Sequence, residues 1–304
     1  MIADRTPTLP RLGVRRVEAF YKAPRPHWVG DGFRVSGYFS RDRDLVRTLS
    51  PFLLLDYHAP FAYPPTQNLR RGVGPHPHRG FETVSIAFEG SIAHHDSTGA
   101  GGIIRPGDVQ WMTAGSGILH KEYHEESFAR AGGRMHMLQL WVNLPAAHKM
   151  DAPGYQLLEA GAIPTVALAG GAGTVRVIAG EHAGVRGAAR THTPIDLFDV
   201  RLGAGACADF AFGAGHNTAI LVLHGGLAFG DGHAAKTGDF VVLGHEGREV
   251  ALEADAHGAH VMIFSGEPID EPIAQYGPFV MNTEAEIRQA VGDFGAGRFG
   301  ELEE

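Results

Sequence analysis

Short apolar segments, separated by polar turns rich in glycine and proline, recur along the whole chain. In the first half, segments rich in β-branched, aromatic or long apolar residues lie at 52–57, 83–88, 109–113 and 137–142. Turn clusters such as Arg105-Pro106-Gly107-Asp108 separate them. Many short strands at this spacing predict a sandwich, a barrel or a jelly roll, and therefore an all-β protein.

The pattern weakens around 145–165 and then starts again. A second series of predicted strands lies at 173–179, 195–202, 219–223, 239–243 and 260–264. A Gly-Asp turn feeds a strand in each half, at Gly107-Asp108 and at Gly238-Asp239, which indicates duplicated β-domains. Near the end, Thr283 and the apolar residues that follow at near-helical spacing predict a short helix over 284–294.

Composition and charge narrow the class of protein. The 304 residues are 44% apolar and 20% charged, which is enough to form a sizeable core in two ordinary domains. The net charge of -8 argues against direct binding to nucleic acid. The single cysteine, Cys207, cannot form an internal disulfide. We see neither a signal-peptide run nor a membrane-length apolar segment in the sequence, and we expect a cytoplasmic protein.

Two stretches carry residues at ligand spacing. His76 and His78 are two apart, so on an extended strand their imidazoles share one face. If the strand runs on without a bulge to residue 88, that face is also the apolar, inward one. His120 and Glu122 repeat the same spacing after a Gly-Asp turn and a glycine-rich bend. Three neutral nitrogens and one carboxylate suit iron, manganese, nickel, copper or zinc better than calcium or magnesium.

Four separated motifs resemble the pirin family, and the likeness runs from about residue 10 to the end of the chain. They are HPHRGFET at 76–83, GDVQWMTAGSGILHKE at 107–122, LQLWVNLP at 138–145 and YGPFVMNTEAEI at 276–287. The resemblance implies a bicupin: an all-β protein of two jelly-roll β-barrel domains with a short C-terminal helix. We expect an N-terminal cupin at 1–148, a linker at 149–168, a C-terminal cupin at 169–270 and a tail at 271–304.

The resemblance also implies a metal site in the N-terminal cupin, with His76, His78, His120 and Glu122 as ligands. The expected metal is a single divalent ion, Fe(II) first, with Mn, Ni, Co, Cu or Zn as alternatives. The general cupin motif takes its glutamate from the first stretch, where Glu82 fits. We assign Glu122, because the longer pirin match includes it, and we expect Glu82 to lie beside the ligands or to be structural.

For function, the resemblance implies a dioxygenase that opens the ring of flavonols such as quercetin with molecular oxygen and releases carbon monoxide. Glu122 is then both ligand and general base. The alternative is a metal-binding regulatory protein, a redox-sensing partner of transcription regulators or metabolic enzymes. A cupin isomerase, or another small-molecule enzyme that uses the same metal, is a third option.

The other histidines receive ordinary roles. We expect His94 and His95 to lie in a turn, His124 on the surface, His58 in the core or at a rim, and His136 in packing. No His-x-His pair occurs in the second half, so we expect no metal there; the nearest candidates are His216, His224, His233 and His245. The glycines at 99–102 lack a following Lys-Ser/Thr and predict a hairpin turn rather than a nucleotide cofactor site.

Overall fold

Strands make up most of the described chain. The computed structural model describes residues 13–39 and 43–302. Residues 1–12 and the last two residues, which bound the expected first domain and the expected tail, lie outside the described residues. The first strands are β1 Val17–Tyr21, β2 His27–Val29, β3 Phe33–Gly37, β4 Phe52–Tyr63, β5 Gly72–His78, β6 Phe81–Glu89, β7 Ile92–Asp96, β8 Gly101–Ile104, β9 Val109–Thr113, β10 Ile118–His124, β11 Gly133–Asn143 and β12 Gly154–Leu158.

The remaining strands follow the same short pattern. They are β13 Thr165–Ala167, β14 Gly173–Ala179, β15 Glu181–His182, β16 Val185–Arg186, β17 Ile195–Leu202, β18 Cys207–Ala211, β19 Asn217–Phe229, β20 Ala234–Lys236, β21 Phe240–Leu243, β22 Glu249–Gly266, β23 Ala274–Tyr276 and β24 Phe279–Met281. The α-helices are α1 Arg43–Thr48, α2 Glu126–Ala131 and α3 Glu284–Gly295, and single 3-10 turns lie at Ala146–His148, Ala160–Ala162 and Ala169–Gly171. Within the described residues, every helix falls short of the length and hydropathy needed to cross a bilayer.

The chain forms two compact units. Unit 1 contains the described residues up to Ala23 together with Ile163–Pro268, and unit 2 contains Pro24–Ala162 together with the described residues from Ile269 onward. The chain thus passes between the units more often than the expected order of domains implies. The interval that we assigned to a linker also contains β12, which pairs with β9 in unit 2. Little in the sequence indicates this strand, because it is five residues long and mostly half-buried, without alternation.

Unit 1 is built on a nine-stranded antiparallel sheet. Its main path runs β1-β21-β19-β22-β17-β14-β13, with β18 paired to β22 and β20 to β19. The strands supply a cluster of buried aliphatic and aromatic side chains, among them Phe198, Phe210, Val222 and Val261. β-branched and aromatic residues fit such a pleated, buried surface, and this explains the strand signals of the second half.

The two larger sheets of unit 2 share a core between their inner faces. A seven-stranded sheet runs β12-β9-β6-β11-β4-β3-β2, and a four-stranded sheet runs β5-β10-β7-β8. Side chains from both sheets meet in one apolar cluster, including Ile92 and Ile104 from the small sheet and Ala87 and Met137 from the large one. β10 alternates buried and partly exposed residues along its whole length, which is the pattern of a strand with one face on a core.

The condition of an unbroken strand from His76 to Phe88 is not met. β5 ends at His78, and β6 begins at Phe81 in the other sheet. Gly80 allows the break because its φ of +87° is a conformation that side chains disfavour. The two histidines therefore share an inward face within β5 alone, and the apolar parity of 84–88 belongs to a separate strand.

Helix α3 confirms the expected C-terminal helix. Thr283 caps it, and a reciprocal bond with Glu286 completes a capping box. The buried face differs from the expected one. Ile287 is buried as expected, but Val291 and Phe294 are 43% and 42% exposed. Ala290 and Asp293 are buried instead, because Asp293 forms an ion pair with a buried arginine of unit 2.

We predict that Gly80→Ala destabilises the protein by about 3 kcal/mol or more, because positive φ and overlap add together. A β-carbon at this position would lie 2.0 Å from the Val280 carbonyl oxygen. Gly99→Ala is the matched control, since Gly99 has a φ of +83° and nothing within 4 Å of the added carbon. It should cost only about 1–2 kcal/mol. Thermal and urea unfolding measure both, and equal losses would contradict the account.

Candidate metal centre

The pairing of β5, β10 and β7 brings the ligand candidates together. β10 lies between the other two strands, with His120 directly opposite His76 on β5. On the β7 side, Glu122 lies opposite His94. A shift in register between His120 and Glu122 marks a bulge or irregularity on the β5 side. Since directly opposed side chains of antiparallel strands lie about 5 Å apart, this register alone clusters the imidazoles.

Three of the four expected ligands form one tight group. Ring centroids of His76 and His120 are 4.2 Å apart, those of His78 and His120 are 4.7 Å apart, and those of His76 and His78 are 4.9 Å apart. One nitrogen from each ring lies within 4.8 Å of the others. Three nitrogens at this spacing can bind a single ion after small rotations of the rings.

The ring nitrogens are oriented for this task. His76 Nδ1 lies 2.8 Å from the Gly74 carbonyl oxygen, which fixes the proton on Nδ1 and leaves Nε2 with its lone pair. The Nε2 of His120 is fully buried, and no group of the described residues forms a hydrogen bond with it. A buried polar atom without a partner is costly in a protein interior, and a bound metal ion supplies the missing partner.

Burial keeps the inner imidazoles neutral. Desolvation lowers the pKa of His78 and of His120 well below the ordinary value of 6.5, and the neighbouring histidines lower the pKa of both further. Metal ions bind the neutral form of imidazole. The environment therefore holds both side chains in the protonation state that a metal requires at neutral pH.

Glu122 lies beside this group, also buried at 5% exposure. Its carboxylate accepts hydrogen bonds from Ser85 Oγ at 3.3 Å and from Gln139 Nε2 at 3.1 Å. It forms a second possible ligand group with His120 and His94, so it shares His120 with the three histidines. The chemistry of three nitrogens and one carboxylate oxygen fits a first-row transition metal such as iron, manganese, nickel or zinc.

Glu82 forms a hydrogen bond outside the three-histidine group. It lies on β6 in the seven-stranded sheet, 1% exposed, and accepts a hydrogen bond from Thr113 Oγ1 at 2.7 Å. It belongs to none of the possible metal-ligand groups among the described residues. This contact supports Glu122 over Glu82 as the carboxylate ligand.

Three histidines lie elsewhere than the sequence predicted. His94 and His95 both lie in β7 rather than in a turn. His95 is exposed, whereas His94 is fully buried, with its Nδ1 3.4 Å from the Nδ1 of His120. His124 is 2% exposed rather than on the surface, because it lies 2.8 Å from the Gly32 carbonyl oxygen. The sequence carried a sign of burial for His94 and His124. His94 lies on the same strand face as Ile92 and Asp96, and His124 lies on the same face as His120.

His58 and His136 have the buried roles that the sequence predicted. His58 is fully buried against Tyr63, and His136 is buried against Tyr57, both through hydrogen bonds. In unit 1, His233 pairs with Asp231 and His245 with Asn217, at 3.0 and 2.7 Å. The absence of a metal from unit 1 stays a prediction.

An aromatic wall stands beside the three histidines. The Trp141 ring lies 5.3 Å from the His78 ring and 4.3 Å from the Phe81 ring. Trp141 and Gln139 are both partly exposed and share one face of β11. The same face therefore offers a flat apolar surface next to one ligand candidate and an amide next to another.

A surface cavity of about 450 Å³ lies apart from this centre. Its lining includes Arg70, His95, Lys121 and Tyr123. Residues 121 and 123 alternate with the buried 120 and 122 along β10, so the cavity lies on the outer face of the four-stranded sheet.

Comparisons with known proteins match both halves of the chain to the same family. The family model for pirin matches residues 32–142, and the model for the pirin C-terminal cupin domain matches residues 197–300. A Pseudomonas aeruginosa protein named "Putative quercetin 2,3-dioxygenase" is 50% identical over 94% of this chain and 99% of its own length. Human pirin is 41% identical, over 87% of each chain.

A solved structure gives the same result for the fold. Quercetin 2,3-dioxygenase from Acinetobacter baumannii superposes with a TM-score of 0.91 at 47% identity, covering 95% of this chain and all of that one. Together with the two family models, this match shows that the all-β fold consists of two cupin domains.

We predict that Glu122→Gln lowers the affinity for a divalent metal by on the order of 100-fold, because the site loses its one charged ligand. Glu82→Gln is the matched control and should change the affinity by less than about 10-fold. Competition with a chromogenic chelator measures both constants. A larger loss in Glu82→Gln would assign the ligand to Glu82 instead.

Acid should destabilise the metal-free protein. Burial lowers the pKa of His124 to about 4, so between pH 6.5 and that value the unfolded chain binds a proton that the folded chain does not. The neutral His124 therefore lowers the free energy of unfolding only below pH 6.5, and by more as the pH drops. In His124→Gln, the loss of unfolding free energy between pH 7 and 5 should be smaller than in the wild type by roughly 1–2 kcal/mol. Urea unfolding with a chelator present tests this, and an unchanged slope would contradict the assignment.

Proposed function

Because the chain belongs to the pirin family, we propose that it is a metal-dependent dioxygenase that opens the ring of a flavonol such as quercetin. The observation that carries the proposal is the buried group of three imidazoles with Glu122 beside it. The names of the relatives from P. aeruginosa and A. baumannii support the reaction class. The proposed setting is cytoplasmic, since Cys207 is free and exposed.

The proposed ligands are His76, His78, His120 and Glu122. Four protein ligands leave positions open on a metal that accepts six, and open positions are typical of catalytic sites. We propose Fe(II) as the native ion, with Mn, Ni, Co, Cu and Zn as alternatives that the same donors accept. When bound, the metal supplies Lewis-acid polarisation of the substrate hydroxyl oxygen and redox capacity toward molecular oxygen.

The proposed position of a flat aromatic substrate is against Trp141, beside His78. Phe81 is fully buried and packs on the Trp141 ring from behind, and aromatic side chains favour offset or edge contacts with other rings. Trp141 is partly exposed, so a ligand can reach it from solvent. The buried strand faces around this position exclude water from the reacting atoms.

Glu122 is the proposed general base. Its two oxygens are held by Ser85 and Gln139, so the carboxylate has a fixed direction. A carboxylate in this position takes the proton of the substrate hydroxyl as that oxygen approaches the metal site. Gln139 donates its amide N–H to this carboxylate. Because its side chain is only partly buried, the amide is also free to turn toward the substrate.

We predict that the metal-loaded protein bleaches the visible absorbance of quercetin in air but not under argon. His120→Ala should reduce the rate by on the order of 100-fold or more, because it removes a buried ligand. His95→Gln is the control, since His95 lies on the outer, exposed face of the same sheet. Absorbance is followed with elemental analysis of each variant. Full turnover and full metal content in His120→Ala would overturn the proposal.

Metal binding without turnover would favour the alternative, a metal-binding regulatory protein. The chain carries a net charge of -8, which suits contact with a protein better than contact with DNA. In that case the wild-type protein binds one metal through the same ligands, and quercetin absorbance stays constant in air.

A further inference from the structure

The C-terminal segment of unit 2 contacts both stretches that carry the metal ligands. This segment, residues 274–300, contains β23, β24 and α3. It lies about two hundred positions along the chain from His76 and His78, so its packing against them is not a consequence of local sequence. Several of its contacts involve the turn after His78 and the bend before His120.

The first contact is on Arg79, the residue after His78. The Arg79 guanidinium is buried and pairs with Asp293 of α3 at 2.8 Å, with both side chains under 10% exposed. Its Nε donates to the carbonyl oxygen of Ser116 at 2.7 Å, in the bend that leads into β10. Arg79 thereby joins the turn after one ligand pair to the loop before the other. Asp293 provides its negative partner and also pairs with Arg298.

The second contact is through Phe299. Its ring lies under the Arg79 guanidinium at 4.7 Å, and a β-carbon on Gly117 would come within 2.5 Å of the same ring. The carbonyl oxygen of Phe299 accepts a bond from Ser97 Oγ at 2.6 Å, and that hydroxyl accepts a bond from the backbone N–H of Leu119 at 3.0 Å. Leu119 precedes His120, so this chain of hydrogen bonds ends at the residue directly before a ligand candidate.

The third contact is on Gly80. The carbonyl oxygens of Gly80 and Val280 both accept hydrogen bonds from the buried ammonium of Lys149, at 2.8 and 3.0 Å. The remaining proton of Lys149 goes to Asn143 Oδ1 at 2.7 Å. Backbone bonds between Arg79 and the segment 278–280 close the same junction. The turn after His78 is therefore fixed on several sides by buried polar bonds.

We propose that Asp293 and Arg79 are positioning residues of the metal centre, through which the C-terminal segment sets the separation of His78 and His120. The inference rests on the proposed metal site. Outer partners that orient ligands typically change metal affinity by about 10–100-fold when they are removed. The Arg79 guanidinium donates in fixed directions to the carboxylate of Asp293 and to the carbonyl oxygen of Ser116. A lysine at position 79 cannot make both bonds in this geometry, and an amide at position 293 lacks the negative charge.

The test uses the full chain, freed of metal with a chelator and titrated with Co²⁺, whose visible absorption reports its coordination. Asp293→Asn and Arg79→Lys should each weaken cobalt affinity by about 10-fold or more and alter the absorption bands. Glu284→Gln is the matched control, because it removes the same charge from an exposed position of the same helix. Its affinity should remain within about 2-fold of wild type.

Metal-free melting temperatures separate positioning from stability alone. If Asp293→Asn lowers the melting temperature and leaves cobalt affinity and spectrum unchanged, the pair is purely structural and the inference is overturned. If wild-type protein binds no cobalt, the proposed function fails as well. Wild-type binding with unchanged Asp293→Asn affinity overturns only the inference.

A second measurement needs no variant. Coupling between two sites is reciprocal, so if the docked segment strengthens metal binding, bound metal must strengthen docking by the same factor. Hydrogen exchange of the amides of α3 should slow when cobalt is added to the wild-type protein, while β14 of unit 1 stays unchanged. Equal exchange of α3 with and without cobalt would contradict the proposal.

Discussion

The pairing of β5 with β10 is the constraint on which the metal centre depends. It sets His120 opposite His76 and Ile118 opposite His78, so three imidazoles meet on one inward face. A slip of one residue would turn His120 to the other face of the sheet and bring Leu119 and Lys121 in. The register is held by burial of the even-numbered face of β10 and by the turn at Arg79-Gly80 that ends β5.

Burial of these imidazoles is unfavourable for folding, but it keeps them in the neutral form that binds a metal. Neutral histidines without hydrogen-bond partners are unfavourable in an apolar interior, and charged ones are more so. The same desolvation lowers the pKa of His78 and His120 and keeps their nitrogens available. The carboxylate of Glu122 is tolerated nearby because Ser85 and Gln139 donate to it. A divalent cation bound here would complete this arrangement by partnering the nitrogens and balancing the carboxylate.

Much of this could be predicted from sequence because it rests on local periodicity. The spacing of His76 with His78 and of His120 with Glu122 placed each pair on one strand face, and Thr283 with Glu286 marked the helix start. The break at Gly80 was missed, because a glycine within an alternating run is compatible with both a strand and a turn. The burial of His94 and His124 was missed although both share the parity of buried neighbours, because the polar residues around them also fit a turn or a surface run. The burial of Asp293 was missed because it depends on Arg79, a partner far along the chain.

The most direct test of the central claim is a crystal structure of the metal-loaded protein with data collected at the absorption edge of the bound metal. The account predicts one anomalous peak in unit 2, within about 2.0–2.2 Å of a nitrogen of His76, His78 and His120 and of an oxygen of Glu122. An anomalous peak coordinated by Glu82, or one placed away from the three histidines, would contradict it.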